Sequence, residues 1–101
     1  MMTKVNPGVL RVSQILNFMA CRAEKPCTHA EIRAGTGMSH ATCHMLLTAL
    51  VEVGYVIRLS DKSFILGPSL LIIVRAAEAE YSASTSIILK ELPYMDNPSM
   101  R

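Results

Sequence analysis

The sequence has few of the features that a membrane or secreted protein would need. Its longest aliphatic run, Leu70 to Val74, is five residues long, whereas a transmembrane helix needs about 20 apolar residues in succession. The N-terminus has no charged region followed by an apolar block, so no signal peptide is indicated. These absences predict a cytoplasmic chain without a membrane partner.

Patterns for disulfides and metals are also missing. The three cysteines, Cys21, Cys27 and Cys43, include no C-x-x-C pair, so we expect reduced thiols rather than a disulfide framework. His40 and His44 are four residues apart, a spacing that can chelate a metal on a helix, but Cys43 belongs to the opposite, apolar face. Cys27 and His29 could add ligands only if the preceding turn folded back. We therefore predict no metal site and no cofactor.

Groups for catalysis are sparse. The chain has eight carboxylate side chains, and no Ser/His/Asp arrangement or glycine-rich phosphate loop is visible in the sequence. A chain of 101 residues forms one domain of modest core, and little of it is left to build a cleft. The sequence does not predict an enzyme.

The residues that are present are apolar and unevenly charged. Half of the chain is hydrophobic, which suggests an apolar face that is buried against another chain. Residues 1–75 have a net charge of +4, and residues 76–101 have a net charge of −2. The basic surplus is compatible with a polyanionic partner.

Three helices are predicted in the first half of the chain. The first runs from Val9 to about Glu24, with apolar residues at helical spacing, and ends before Pro26. Thr28 and Glu31 form a capping box for a short second helix. Gly35 and Gly37 interrupt this helix and form a tight turn at 35–38. Ser39 then caps a third helix that extends to about Val53, with its apolar side at Cys43, Leu46, Leu47 and Leu50.

The second half of the chain begins with β-branched and aromatic residues. Residues 55–60 and 63–66 read as two short strands joined by a turn at Asp61 and Lys62. A last helix opens at Gly67-Pro68 and runs to Leu92, either continuously or with a break at 82–86. We therefore divide the chain into a domain of three helices and a hairpin (1–67), a C-terminal helical segment (68–92) and a frayed tail (93–101).

This order of elements is that of a winged helix-turn-helix, mainly α with a small β-hairpin. Such proteins place the start of the third helix in the DNA major groove, and a helix N-terminus also suits phosphate contact. Helix capping alone accounts for Ser39 and Thr42 without any contact to DNA. In the same way, Arg58 and Lys62 are equally consistent with solvent-exposed charges on a hairpin. As DNA-binding residues we predict Thr28, Ser39, His40, Ala41, Thr42, His44, Met45, Arg58 and Lys62.

Residues 8–75 resemble the N-terminal DNA-binding domain of the IclR (isocitrate lyase regulator) family of bacterial transcription factors. The resemblance lies in "LRVSQIL", "EI…TGM", "LLTALVEVGYV" and "LGPSLL", in this order and spacing. It implies sequence-specific binding of double-stranded DNA, with a linker helix that contributes to a dimer. The family's effector-binding domain is missing from these 101 residues, so we expect no small-molecule effector to act on this chain alone.

Two further expectations concern partners. Five consecutive aliphatic residues surround a helix completely, so at least one face requires a second chain; we predict a homodimer through Leu70, Leu71, Ile73 and Val74. The chain departs from the family pattern at Ala41, Met45 and Ile65, where polar or basic residues are usual. These departures favour a second hypothesis, a protein-interaction module that has lost DNA binding and pairs with a full-length relative.

Overall fold

The computed structural model describes residues 5–22 and 25–91, and the side chains of residues 5–22 and 25–82. Within them the fold is mainly helical, with one antiparallel hairpin, and the predicted winged helix-turn-helix class is confirmed. The predicted tail, residues 93–101, lies outside the described residues. In chain order the elements are α1 (Pro7–Ala20), α2 (His29–Thr36), α3 (His40–Glu52), β1 (Val56–Arg58), β2 (Phe64–Leu66) and α4 (Ser69–Glu91).

The first helix begins and ends earlier than predicted. The Asn6 side chain accepts hydrogen bonds from the backbone N–H groups of Gly8 and Val9, and Pro7 occupies the first helical position, where its missing N–H costs nothing. The helix ends at Ala20 rather than near Glu24. In the loop that follows, Cys27 pairs with Phe64 through two backbone hydrogen bonds of 2.8 and 2.9 Å.

The two glycines of the second helix have different roles. Gly37 adopts the left-handed conformation, with φ of 74°, and its N–H bonds to Arg33, so the turn is where it was predicted. Gly35 is helical, and the prediction that it interrupts the helix was wrong. A Cβ at Gly35 would overlap the ring of Phe18, so its bare backbone instead allows α1 to approach α2 closely.

The hairpin forms the wing. Its register pairs Val56 with Leu66 and Arg58 with Phe64, so both strands are shorter than predicted. Cys27 adds an extended partner on the other side of Phe64, which the sequence did not predict. Lys62 lies in the turn with φ of 71° and is the only described residue other than glycine with a positive φ. The wing is therefore anchored between the helices and the loop before α2.

The core lies between the three helices and the wing. Cys43, Leu47 and Leu50 of α3 are buried as predicted, and Leu46 is half-buried. Val9, in the first turn of α1, is 63% exposed although it belongs to the apolar face of that helix. The buried apolar residues are Ile15, Met19, Cys27, Ile32, Cys43, Leu47, Leu50, Val56 and Phe64.

The last helix leaves the wing directly. The N–H of Gly67 donates to Tyr55 and that of Ser69 to Gly54, which fixes the start of α4 against the end of α3. The helix is continuous from Ser69 to Glu91, the unbroken form of the two that were predicted. No helix among the described residues is long and apolar enough to cross a membrane.

Candidate nucleic-acid interface

The N-terminal turn of α3 presents its polar residues to solvent. Ser39 accepts a hydrogen bond from the N–H of Thr42 at 3.2 Å, so the predicted cap is confirmed. His40, Ala41 and His44 are exposed, and Met45 is 60% exposed. Thr42 is only half-buried. Five of the predicted DNA-binding residues therefore lie on one continuous, accessible surface: Ser39, His40, Ala41, His44 and Met45.

The Thr28 side chain is occupied by the capping box of α2. Its hydroxyl accepts from the N–H of Glu31 at 3.1 Å, and Glu31 accepts from the N–H of Thr28 at 2.9 Å. Arg22 also bonds to Glu31, at 3.1 Å. The backbone hydrogen bond from Thr28, followed by that from Arg22, lowers the pKa of the Glu31 carboxyl. This arrangement fixes the start of α2 and leaves the exposed edge of Thr28 for other contacts.

The wing turn is organised by Asp61. One of its carboxylate oxygens accepts hydrogen bonds from both the N–H and the hydroxyl of Ser63, and these bonds lower the pKa of Asp61. Arg58 and Lys62 flank the turn and are exposed. Neither makes an ion pair with any residue in the described part of the chain, so both cations are available to an anionic partner.

A cleft of about 390 Å³ lies between the wing and the face of α3 that carries His40 and His44. Leu47, Val51 and Phe64 form apolar parts of its lining. Its polar lining consists of His29, His40, His44, Thr48, Glu52, Arg58 and Lys62. The cleft thus brings together two predicted residues of α3 and both predicted residues of the wing, in one concave, cation-rich surface.

His29 belongs to this cleft, although it was not among the predicted DNA-binding residues. Its Nδ1 accepts a hydrogen bond from Arg33 Nε at 3.1 Å, so the proton of the neutral imidazole lies on Nε2. That Nε2 is buried and has no hydrogen-bond partner among the described residues. Burial, followed by the charges of His40, Arg33 and His44, lowers the pKa of His29. Its four-residue spacing from Arg33 could have indicated the hydrogen bond.

The fold brings the three histidines together. In the sequence analysis, His29 could approach His40 and His44 only if the turn between α2 and α3 folded back on α3. The ring centroids of His29 and His40 are 4.7 Å apart, and those of His29 and His44 are 6.3 Å apart. Cys27 and Cys43 are buried in the core and stay away from them. No three metal-ligating side chains among the described residues are arranged to hold an ion. A metal would also need a lone pair on His29 Nε2, which the hydrogen bond from Arg33 disfavours.

A family model describes this architecture. Residues 8–60 match the model of the IclR helix-turn-helix domain. The chain belongs to the IclR helix-turn-helix family. No curated protein sequence matches it.

Three solved structures share the fold of this IclR-type chain. The repressor BlcR of Agobacterium tumefaciens has a TM-score of 0.66 at 23% identity, over 73% of this chain and 29% of that one. An IclR-family protein from Rhodococcus sp. has a TM-score of 0.61 at 25% identity, over 76% of this chain and 32% of that one. IclR of Thermotoga maritima has a TM-score of 0.56 at 24% identity, over 87% of this chain and 31% of that one. This chain therefore spans about a third of the length of these proteins.

The IclR-type chain has a second, apolar groove on the side of α4. The groove has a volume of about 590 Å³ and lies between α1, the wing and α4. Three of the predicted dimerisation residues, Leu70, Leu71 and Val74, line it, and Leu70 is half-buried. Ile73 is 48% exposed, and Ile72, which was not predicted, is 73% exposed. The first turns of α4 thus present aliphatic side chains in several directions.

Proposed function

We propose that this chain is the DNA-binding part of a bacterial transcriptional regulator of the cytoplasm. The recognition helix α3 enters the major groove, and the wing contacts the phosphate backbone beside it. The observation that carries the proposal is the exposed first turn of α3 beside two wing cations, Arg58 and Lys62, that form no ion pair among the described residues, in a chain of the IclR helix-turn-helix family.

The side chains of α3 suggest how bases are read. The segment from Ser39 to Val53 contains no arginine, and arginine is the commonest reader of guanine. The exposed apolar side chains of Ala41 and Met45 suit contact with thymine methyl groups, and His40 and His44 can donate to base edges. We therefore expect a half-site rich in A·T pairs.

Binding of random duplex DNA at several salt concentrations tests the proposal. If Arg58 and Lys62 of two subunits contact four phosphates, the logarithm of affinity falls with log salt at a slope of about −3.6. Between 50 and 200 mM salt this slope weakens binding by about 100-fold. Arg58→Gln is expected to make the slope shallower, whereas Lys25→Gln, outside the cleft, serves as the control. An affinity too weak to measure at 50 mM salt contradicts the proposal.

Assembly is part of the same proposal. The aliphatic residues Leu71, Ile72 and Ile73 of α4 are about half-exposed or more, and we propose that they contact a second copy of the chain, so that two recognition helices read two half-sites. Ile72→Asp should shift the sedimentation of the intact chain toward that of a monomer, and Ala79→Asp, on an exposed position of the same helix, should not. An unsubstituted chain that is monomeric at micromolar concentration refutes the dimer.

A protein-interaction module is the second candidate. The exposed Met45 on α3 and the lack of arginine in that helix favour it, since both weaken electrostatic attraction to DNA. This module would use α4 to pair with a longer relative. Absence of DNA binding together with a stable complex between α4 and a full-length family member would support this candidate over the first.

A further inference from the structure

The three histidines of the chain form one cluster at the inner edge of the cleft between α3 and the wing. His29 comes from the first turn of α2, and His40 and His44 come from successive turns of α3. The ring centroids of His40 and His44 are 6.4 Å apart, and both rings lie within 6.3 Å of that of His29. At these distances a positive charge on one ring repels a positive charge on the next.

Positive charge lies near the cluster on two elements, α2 and the wing. Arg33 of α2 bonds to His29, and Arg58 and Lys62 of the wing line the same cleft. Glu52, at the far end of α3, is the only carboxylate among the lining residues, and neither wing cation pairs with it. A cleft with this charge is complementary to an anion.

The inner edge of the cleft also has a donor without an acceptor. His29 Nε2 carries the proton of the neutral ring, is buried, and has no hydrogen-bond partner within the part of the chain that the structure describes. A second departure from ordinary structure lies across the cleft, where Lys62 has φ of 71°. Lysine rarely adopts this conformation, which glycine or asparagine usually supplies in a hairpin turn. Such outliers persist where the surrounding site makes use of them.

We propose that the cleft binds a single phosphate group, and that the cluster of His29, His40 and His44 takes up a proton when the phosphate binds. The inference rests on the proposed function for its main source of phosphate, the DNA backbone, although free inorganic phosphate has the same chemistry. A dianionic or monoanionic oxygen group offsets the repulsion between the imidazolium, Arg33, Arg58 and Lys62. The apolar walls at Leu47 and Phe64 lower the local dielectric and strengthen this attraction.

Nuclear magnetic resonance of the histidine ring protons in the intact chain tests the proposal. The titration midpoints are measured in chloride, in inorganic phosphate at the same ionic strength, and with duplex DNA. We expect higher midpoints with phosphate or DNA than in chloride, because an anion stabilises the protonated ring. Midpoints that neither ligand raises overturn the proposal. A rise with DNA alone assigns the phosphate to the backbone, and a rise with both shows that the group itself suffices.

Variants separate this site from DNA binding in general. His29→Gln should reduce the phosphate-induced rise in the titration midpoints of His40 and His44. Arg11 is an exposed charge outside the cleft, so Arg11→Gln should leave that rise unchanged. Lys62→Asn removes a cation from the exposed tip of the wing and should also reduce it, even if His29→Gln fails to fold.

The DNA affinity should increase by up to about tenfold per pH unit as the pH falls from about 8 to about 6. Salt-dependent DNA binding with a flat pH profile overturns the histidine site and leaves the proposed function intact. A response to inorganic phosphate without any DNA binding has the opposite meaning, because the anion site then stands and the proposed function fails.

Discussion

Replacing Lys62 by asparagine should stabilise the fold and weaken DNA binding at the same time. Lys62 has φ of 71° at the tip of the wing, and its N–H donates to Leu59 at 2.9 Å. Its side chain is exposed and makes no ion pair among the described residues. Asparagine tolerates the left-handed conformation, keeps the backbone hydrogen bond and lacks the charge, so the two consequences can be separated.

The size of each effect follows from the geometry. An L-residue with a Cβ costs about 1–2 kcal/mol in the left-handed region, and asparagine recovers part of it, so we expect a gain of about 1 kcal/mol. For a domain of this size the gain raises Tm by about 4–8 °C. Removing one phosphate contact weakens binding by about tenfold per subunit at 0.1 M salt and reduces the salt slope by about 0.9 per subunit.

Two measurements on the same protein check this prediction. Thermal or urea denaturation gives the free energy of unfolding, and DNA binding at several salt concentrations gives the affinity and slope. Lys25→Asn, an exposed cation outside the cleft, controls for the loss of charge. A Lys62→Asn chain that is less stable than the parent shows that the conformation is not costly. An unchanged affinity and salt slope show that the wing tip does not contact phosphate.

Two other predictions concern stability. Burial, above all, lowers the pKa of His29, so the unfolded chain binds a proton at this residue more readily than the folded chain. The free energy of unfolding should therefore decrease as the pH falls below about 6.5, by at most about 1.4 kcal/mol per pH unit. Urea denaturation of His29→Gln should show a weaker dependence between pH 5 and 6.5. Gly35→Ala places a Cβ against Phe18 and should destabilise by about 1 kcal/mol, since overpacking exceeds the gain in helix propensity. Phe18→Leu should relieve that cost, and a Gly35→Ala chain as stable as expected from propensity alone would contradict the contact.

The caps and the hydrophobic periodicity made most of the fold predictable. Thr28 with Glu31 and Ser39 mark the starts of α2 and α3 by local hydrogen bonds that sequence spacing fixes. Gly37 marks the end of α2 because few other residues tolerate its φ. The apolar face of α3 follows from the helical period of 3.6, and the strands of the wing follow from their β-branched and aromatic residues.

Contacts between distant parts of the chain were not predictable. The pairing of Cys27 with Phe64 joins the loop before α2 to the wing, and no local pattern predicts it. Gly35 lies inside α2 with the ring of Phe18 against it, whereas a glycine in the sequence suggests a break in the helix. The place of His29 in the cleft depends on the angle between α2 and α3, which brings its ring to 4.7 Å from that of His40.

The departures from ordinary local structure lie along the same cleft. His29 has a buried donor that finds no partner in the described ranges, and Lys62 has an unfavourable φ. The helix caps, by contrast, follow the usual rules at Asn6, Thr28 and Ser39. Proteins tolerate such departures mainly at functional sites. If one phosphate compensates both, the losses of affinity from His29→Gln and Lys62→Asn should not add, because the first variant already displaces the group that the second contacts. A double variant whose loss equals the sum of the two single losses would assign the residues to separate phosphates.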